Sequence, residues 1–291
     1  NSGAERAAVG ENVRVPVTPS ANVSDITPAM AVPSPTDQTV SNVNITITKS
    51  RAAEFGFVGE EQRGLNNGVG YNNVQADMIA QAVRSLTNEI EVDLAALYTG
   101  FSRAYGAAGT TPFASNLIDT ANVLKILKDN GAPGSDLHLA IDTTAGAKMR
   151  TLTQLTKVNE GGTDSLLRQG ELMDIHGISV RESAQINTTT KGTGTSYQTN
   201  LAATLPVGST DIIIDTGSGT VVAGDVVTFA GDTNKYIVTT GVAAAGTITI
   251  AAPGLQQTLA DGVAMTVGNN ATQNMAFHRN ALQLVTRAPA L

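Results

Sequence analysis

Valine and isoleucine alternate with polar residues in two short stretches near the start of the chain. In "NVRVPVT" Val13, Val15 and Val17 fall on one face of a strand, and in "VNITITK" Val43, Ile45 and Ile47 do the same. The pattern predicts two arms of one extended hairpin. Pro16 has no N–H to give a ladder, which confines the first arm to an edge or to pairing on one side. Between the arms Pro19, Pro28, Pro33 and Pro35 exclude regular structure and suit a long flexible tip, with an ordinary surface loop as the equal alternative.

From Asn73 to Phe101 the period changes. Ile79, Val83, Leu86, Ile90, Leu94, Leu97 and Phe101 follow one another at spacings of three or four, which is one stripe on one helix. About 28 residues at ~1.5 Å each make it ~40 Å long, enough to run across a whole domain. A second helix is expected from Ser115 as its cap, through Leu117, Ala121, Leu124 and Leu127, to a stop at Gly131. "LHLAID" reads as a buried strand, Asp142, Thr143 or Thr144 as the cap of a helix through "AGAKMRTLTQL", and "MDIHGISVRES" as another strand. This part of the chain is α+β.

Beyond about Gln185 the composition shifts to Thr, Gly, Val and Ala and the helical period disappears. Short strands recur at "DIIID", "DVVTF", "KYIVT", "TITIA" and "VAMTV" between Gly- or Asp-containing turns, the signature of a small antiparallel barrel. "NMAFHRNALQLVTRAPAL" then returns to a mixed pattern in which Ala281, Leu282, Leu284 and Val285 are expected to rejoin the first core. The barrel is therefore read as an insertion whose two ends lie close together on its host.

Composition narrows the classes. The chain has 291 residues, with 15% charged, 4% aromatic, and neither Cys nor Trp. Length allows one large or two ordinary domains, and two is the expected number. The absence of Cys excludes disulfide staples and thiolate chemistry. A net charge of -7 argues against a surface built to neutralise phosphates. No apolar run reaches the roughly 18 residues of a membrane span, and a soluble intracellular origin is expected.

Candidate chemistry is sparse. His138, His176 and His278 are far apart and lack metal-ligand spacing, so structural or surface roles are expected for them. "KGTGTS" at 191–196 lacks the order of a phosphate loop and reads as a flexible lead-in to the barrel. Asp211, Asp215, Asp225 and Asp232 lack calcium-loop spacing and read as turn residues. Matches to N-x-[ST] at Asn22, Asn44, Asn187 and Asn270 are expected noise. "EFGFVGEEQRG" supports two accounts equally. Either Phe55 and Phe57 enter a core from a strand while Glu60, Glu61 and Arg63 stay wet, or Arg63 meets a carboxylate of a neighbouring subunit. No catalytic, cofactor or metal residue is nominated, and an enzyme is not expected.

The blocks "ENVRVPVTP", "VNITITKSRAAEFGFVGEEQRGLNN", "RSLTNEIEVDLAALY", "DNGAPGSDLHLAID", "LTQLTKVNEGG", "LLRQGELMDIHGISVRESA" and "FHRNALQLVTR", with the order of elements, resemble the major capsid (coat) proteins of tailed bacteriophages and prophages. The resemblance is to the branch whose capsid fold carries an inserted β-barrel domain. It implies a Hong Kong 97-like α+β fold divided into an extended loop at 1–72, a body with its spine helix at 73–184, an inserted barrel at 185–270 and a return to the body at 271–291. It implies self-assembly into hexamers and pentamers of an icosahedral shell that encloses DNA without sequence-specific binding, with scaffolding and portal proteins as partners. The implied location is the virion, and the bacterial cytoplasm during assembly. The inserted domain is implicated in subunit folding and in contacts between subunits. Members of the family carry a further N-terminal arm before the segment matching "ERAAVGENVRV", where this sequence begins. A different class is a β-rich binding module of a phage tail or surface protein, with residues 200–268 recognising a receptor or glycan. Against it stands the shortage of aromatics in that block, where only Phe229 and Tyr236 are available.

Overall fold

Val13 faces Ile45 and Val15 faces Val43 across a two-stranded antiparallel ladder formed by β1 (Asn12–Val17) and β2 (Ser41–Thr46). Both arms of the expected hairpin are present, and Pro16, opposite Asn42, sits in a sheet whose two strands are both edges. The computed structural model describes residues 6–18, 23, 40–56, 58–67, 71–157 and 165–289, so the proline-rich tip lies outside the described residues apart from Thr18, Val23 and Val40. The chain divides into two compact units, Asn1–Leu86 with Gln283–Leu291 and Thr87–Leu282. In the first unit the Ala7 N–H donates to the Ala288 carbonyl at 3.1 Å, so the two ends of the described chain run side by side.

The segment read as a strand around Phe55 is not one. Helix α1 (Gly59–Asn66) begins there, with Glu60 and Glu61 in its first turn. The Glu61 carboxylate accepts from the Val58 N–H at 3.2 Å, and acids at this end also complement the helix dipole. Phe55 is exposed in irregular chain ahead of it, and Phe57 lies outside the described residues. The long helix is present as α2 (Tyr71–Ala95), continued by a 3-10 turn over Ala96–Gly100 until Phe101 turns extended.

In the second unit a two-residue strand, β3 (Arg103–Ala104), follows the 3-10 turn, and α3 (Ile118–Asp129) follows that. The helix starts two residues later than a Ser115 cap would set it. The Ile118 N–H donates to Asn116 Oδ1 at 3.0 Å, and Asp119 Oδ2 accepts from the Phe113 N–H at 2.8 Å. Its inner face holds Leu117, Leu124 and Leu127 as expected, but Thr120 is buried there and Ala121 is exposed. Gly131 stops the helix, its N–H donating to the Lys128 carbonyl.

β4 (Leu137–Ile141) alternates buried with half-buried side chains at the centre of a three-stranded sheet. β5 (Ile178–Glu182) runs parallel to it through a crossover that contains α4 (Thr143–Arg150). Of the three candidate caps for α4, Asp142 is the one, accepting from the Thr144 and Ala145 N–H groups. β5 is shorter than its sequence pattern because a tight turn at His176 and Gly177, both with positive φ, folds Ile175 back onto Ile178. Leu137, Leu139, Ile141, Met149, Ile178 and Val180 form the centre of this core.

The chain leaves this body through β6 (Thr188–Thr189) and builds β7 (Tyr197–Thr199), β8 (Asp211–Asp215), β9 (Val226–Phe229), β10 (Lys235–Thr240), β11 (Gly246–Ile250) and β12 (Ala264–Val267). These six strands close into an antiparallel barrel in the order 11-8-7-12-9-10, with β10 pairing back onto β11. The five strands expected from sequence are all present, and β7 is the sixth. Alternation works as it should: Ile212 and Ile214 are fully inside while Ile213 is exposed opposite Thr247. Each such isoleucine contributes about 1.5–3 kcal/mol on burial. β13 (Ala271–Thr272) then pairs with β6 as a short neck. β14 (Met275–His278) returns to β4 as an antiparallel neighbour. The return to the body is thus made by β14, where Ala276 packs against its core and Met275 is buried opposite Ala140. Of the four residues expected to do so, Ala281 and Leu284 are exposed and Leu282 and Val285 are half-buried, and a 3-10 segment at Arg279–Ala281 follows β14.

"KGTGTS" is a strap, and calling it flexible is wrong. The Gly192 N–H donates to both oxygens of buried Asp225, Gly194 donates to the Thr220 carbonyl at 2.7 Å, and Thr195 exchanges bonds with Ser218. A Cβ at Gly192 would collide with the Thr220 carbonyl oxygen, so glycine is required there by close approach. Of the other aspartates, Asp232 is a turn residue as expected, whereas Asp211 and Asp215 are the first and last residues of β8. Asp232 accepts from the Asn234 N–H and from the Tyr236 hydroxyl at 2.5 Å, and Asp211 accepts from Thr249.

Tyr236 is fully buried, and its oxygen also accepts from the Gln256 N–H at 3.0 Å. Burial first, and then the hydrogen bond to Asp232, push its phenol above the usual range. The folded chain therefore holds this proton more tightly than the unfolded one, and stability falls as pH rises past the unfolded value of ~10. Tyr236→Phe is expected to remove that alkaline slope, measured by urea unfolding across pH. At neutral pH it should cost about 1–3 kcal/mol through the orphaned Gln256 N–H.

Candidate assembly surfaces

The stripe of α2 is the largest departure from what an isolated domain would do. None of residues 73–95 is buried. Leu86 and Leu94 are half-covered, but Ile79 is 49% exposed, Val83 58% and Leu97 45%, with Ile90 at 36%. Single exposed apolar residues are ordinary, whereas a row of them at helical spacing is a face made to be covered. The hairpin presents a second such face, where Val17 and Val43 are exposed. Two acids, Glu91 and Asp93, occupy the last turn of α2 against the helix dipole. Glu91 is held by the Ser183 hydroxyl just after β5, at 2.8 Å.

A polar cluster joins the barrel to the body. β3 adds to β10 as a seventh strand, pairing Ala104 with Lys235 and Arg103 with Tyr236. The Arg103 side chain is 5% exposed. It donates to Asn234 Oδ1 on the β9–β10 turn and to Asn130 Oδ1 at the end of α3, both at 3.2 Å, and lies 3.6 Å from Asp129. The Lys125 ammonium, hydrogen-bonded to Asp129, and then the nearby Arg103 charge hold the Asp129 carboxyl below the ordinary carboxylate range. Nothing in the sequence singled out Arg103, because a two-residue strand has no periodicity to read.

The residues considered for chemistry are held apart. His138 lies against the Phe277 ring, His176 hydrogen-bonds buried Thr120 at 2.8 Å, and His278 accepts from the Asn280 N–H. Among the described residues no cluster of His, Asp or Glu is placed to hold a metal ion. Phe229 and Tyr236, the aromatics a glycan-binding barrel would need outside, are both inside it with ring centroids 6.0 Å apart. Among the described residues no helix is long and apolar enough to cross a membrane.

No family model matches the chain, and no curated protein does. Solved structures do show a likeness. One is of Mycobacterium phage Che8, with 14% identity over 92% of this chain and 85% of that one, at a TM-score of 0.42. The capsid structure of cyanophage P-SCSP1u is 15% identical over 91% of this chain and 83% of that one, at 0.43. The asymmetric unit of the bacteriophage PhiM1 mature capsid is 13% identical over 99% and 86%, at 0.40.

Proposed function

We propose that this chain is the structural subunit of a tailed-phage or prophage capsid, and that it self-assembles into the icosahedral shell that encloses DNA. The single observation that carries the reading is the long α2 helix whose apolar stripe the chain's own described residues leave exposed. A self-complementary subunit used many times needs such faces, and its affinity comes from many weak contacts acting together. The open hairpin supplies a second face and reach. The sequence resemblance supplies the shell: residues 1–72 are the extended loop, 73–184 the Hong Kong 97-like body, 185–270 the inserted barrel and 271–291 the return.

On this reading the subunit forms hexamers and pentamers, meets scaffolding and portal proteins, assembles in the bacterial cytoplasm and resides in the virion. Its net charge of -7 suits a wall that must release packed DNA, since a basic lining would hold the polymer. The role is structural, without catalysis. Light scattering on the purified chain with a scaffolding partner tests the reading. Discrete particles of very high mass are expected, and tight, salt-sensitive binding to DNA by the free subunit would contradict it.

A further inference from the structure

Two ties connect barrel and body, and they differ in kind. The neck is the two-residue ladder of β6 and β13, reinforced by the Thr188–Thr272 hydroxyl pair at 2.9 Å and by the Lys191 N–H donating to Asn270 Oδ1. A ladder this short is the geometry of a hinge. The second tie is β3, which leaves the end of the long helix and joins the same edge of β10 as β11, at Lys235 and Tyr236, ahead of the Val238–Thr240 stretch that pairs with β11.

We propose that this second tie is a clasp that makes the barrel a rigid extension of the last turns of α2, with Arg103 as its latch. Four contacts close it. The backbone pairs β3 with β10, and the Ile237 N–H donates to the Ser102 carbonyl at 3.4 Å. The Arg103 guanidinium bridges the barrel turn at Asn234 to Asn130 and Asp129 on α3, and Asn130 in turn donates to Ser102 Oγ at 2.7 Å. Tyr98, on the 3-10 turn, fills the space over Gly224, where a Cβ would collide with the phenol oxygen. Lys235 adds a bond to the Gly106 carbonyl. The planar guanidinium suits this role because one side chain addresses two elements in fixed directions. Motion of the helix end is thereby passed to the barrel, and the neck does not act as a hinge. The inference does not depend on the capsid reading.

The chain has no cysteine, so a labelled pair is unique. Ala121→Cys on α3 and Thr247→Cys on β11, both exposed, take spin labels for a distance distribution between body and barrel. The otherwise unchanged chain is expected to give one narrow peak, and Arg103→Ala with Asn234→Ala to broaden it about two-fold or more while circular dichroism stays the same. Should that double variant not fold, Asn234→Ala alone is read. Hydrogen exchange of the unsubstituted chain adds a check that needs no variant: the Ile237 amide is expected to exchange within about ten-fold of the Val238 amide. A broad distribution in the unlatched and unsubstituted chains alike, an equally narrow one in both, or an Ile237 amide exchanging freely would overturn the clasp.

Discussion

Asp225→Ala is expected to cost the chain about 2–5 kcal/mol and to loosen the barrel before the body. Asp225 is 4% exposed and does the work of three acceptors, taking the Gly192 N–H on both oxygens and the Val222 N–H at 2.8 Å. Alanine leaves both donors without their charged partner, one of them fully buried, at about 1–3 kcal/mol each. The strap at 191–196 also loses its anchor, so the loss is felt along the seam with residues 218–225. Asp225→Asn retains one accepting oxygen and should fall between the two. Hydrogen exchange resolved by segment, with urea unfolding, checks this; unchanged protection of the barrel amides in Asp225→Ala would remove Asp225 from its structural role.

Ile79→Glu is expected to leave the subunit's unfolding within about 0.5 kcal/mol of the unsubstituted chain, because the side chain is already half exposed. On the proposed capsid role its effect falls on assembly. A glutamate placed on a face that becomes buried costs several kcal/mol per contact, and the contact recurs in every subunit. At ~1.4 kcal/mol per factor of ten, the concentration needed for assembly should rise about a hundredfold or more. Gln81→Glu places the same charge two residues along, on the far side of the helix, and should assemble as the unsubstituted chain does. Equal assembly by both variants would mean that the stripe is not a subunit contact.

Much of the fold was legible because period reports which face of an element is apolar. "DIIID" predicts a strand, and β8 is there with Ile212 and Ile214 inward; "NVRVPVT" and "VNITITK" predict two arms of a hairpin, and β1 and β2 pair with Val13 opposite Ile45 and Val15 opposite Val43. Period does not report what covers the face. The α2 stripe has the spacing of a core helix, and only the structure shows it left exposed in a single chain. Strands made by long-range pairing were beyond reach: β3 is two residues whose partner lies about 130 positions on, and β7 is three residues with a polar centre. Glycine also misled, since "KGTGTS" reads equally as a flexible lead-in and as a strap whose glycines admit close approach. Around Phe55 two aromatics suggested a strand, and the Gly59-Glu60-Glu61 turn decided for a helix.

Electron microscopy of the purified chain, mixed with the scaffolding partner that the proposed capsid role implies, tests the central claim most directly. The account predicts closed shells or curved sheets of regular subunits, lost in Ile79→Glu and kept in Gln81→Glu. Subunits that remain monomeric at every concentration, with scaffolding partner present, would contradict it.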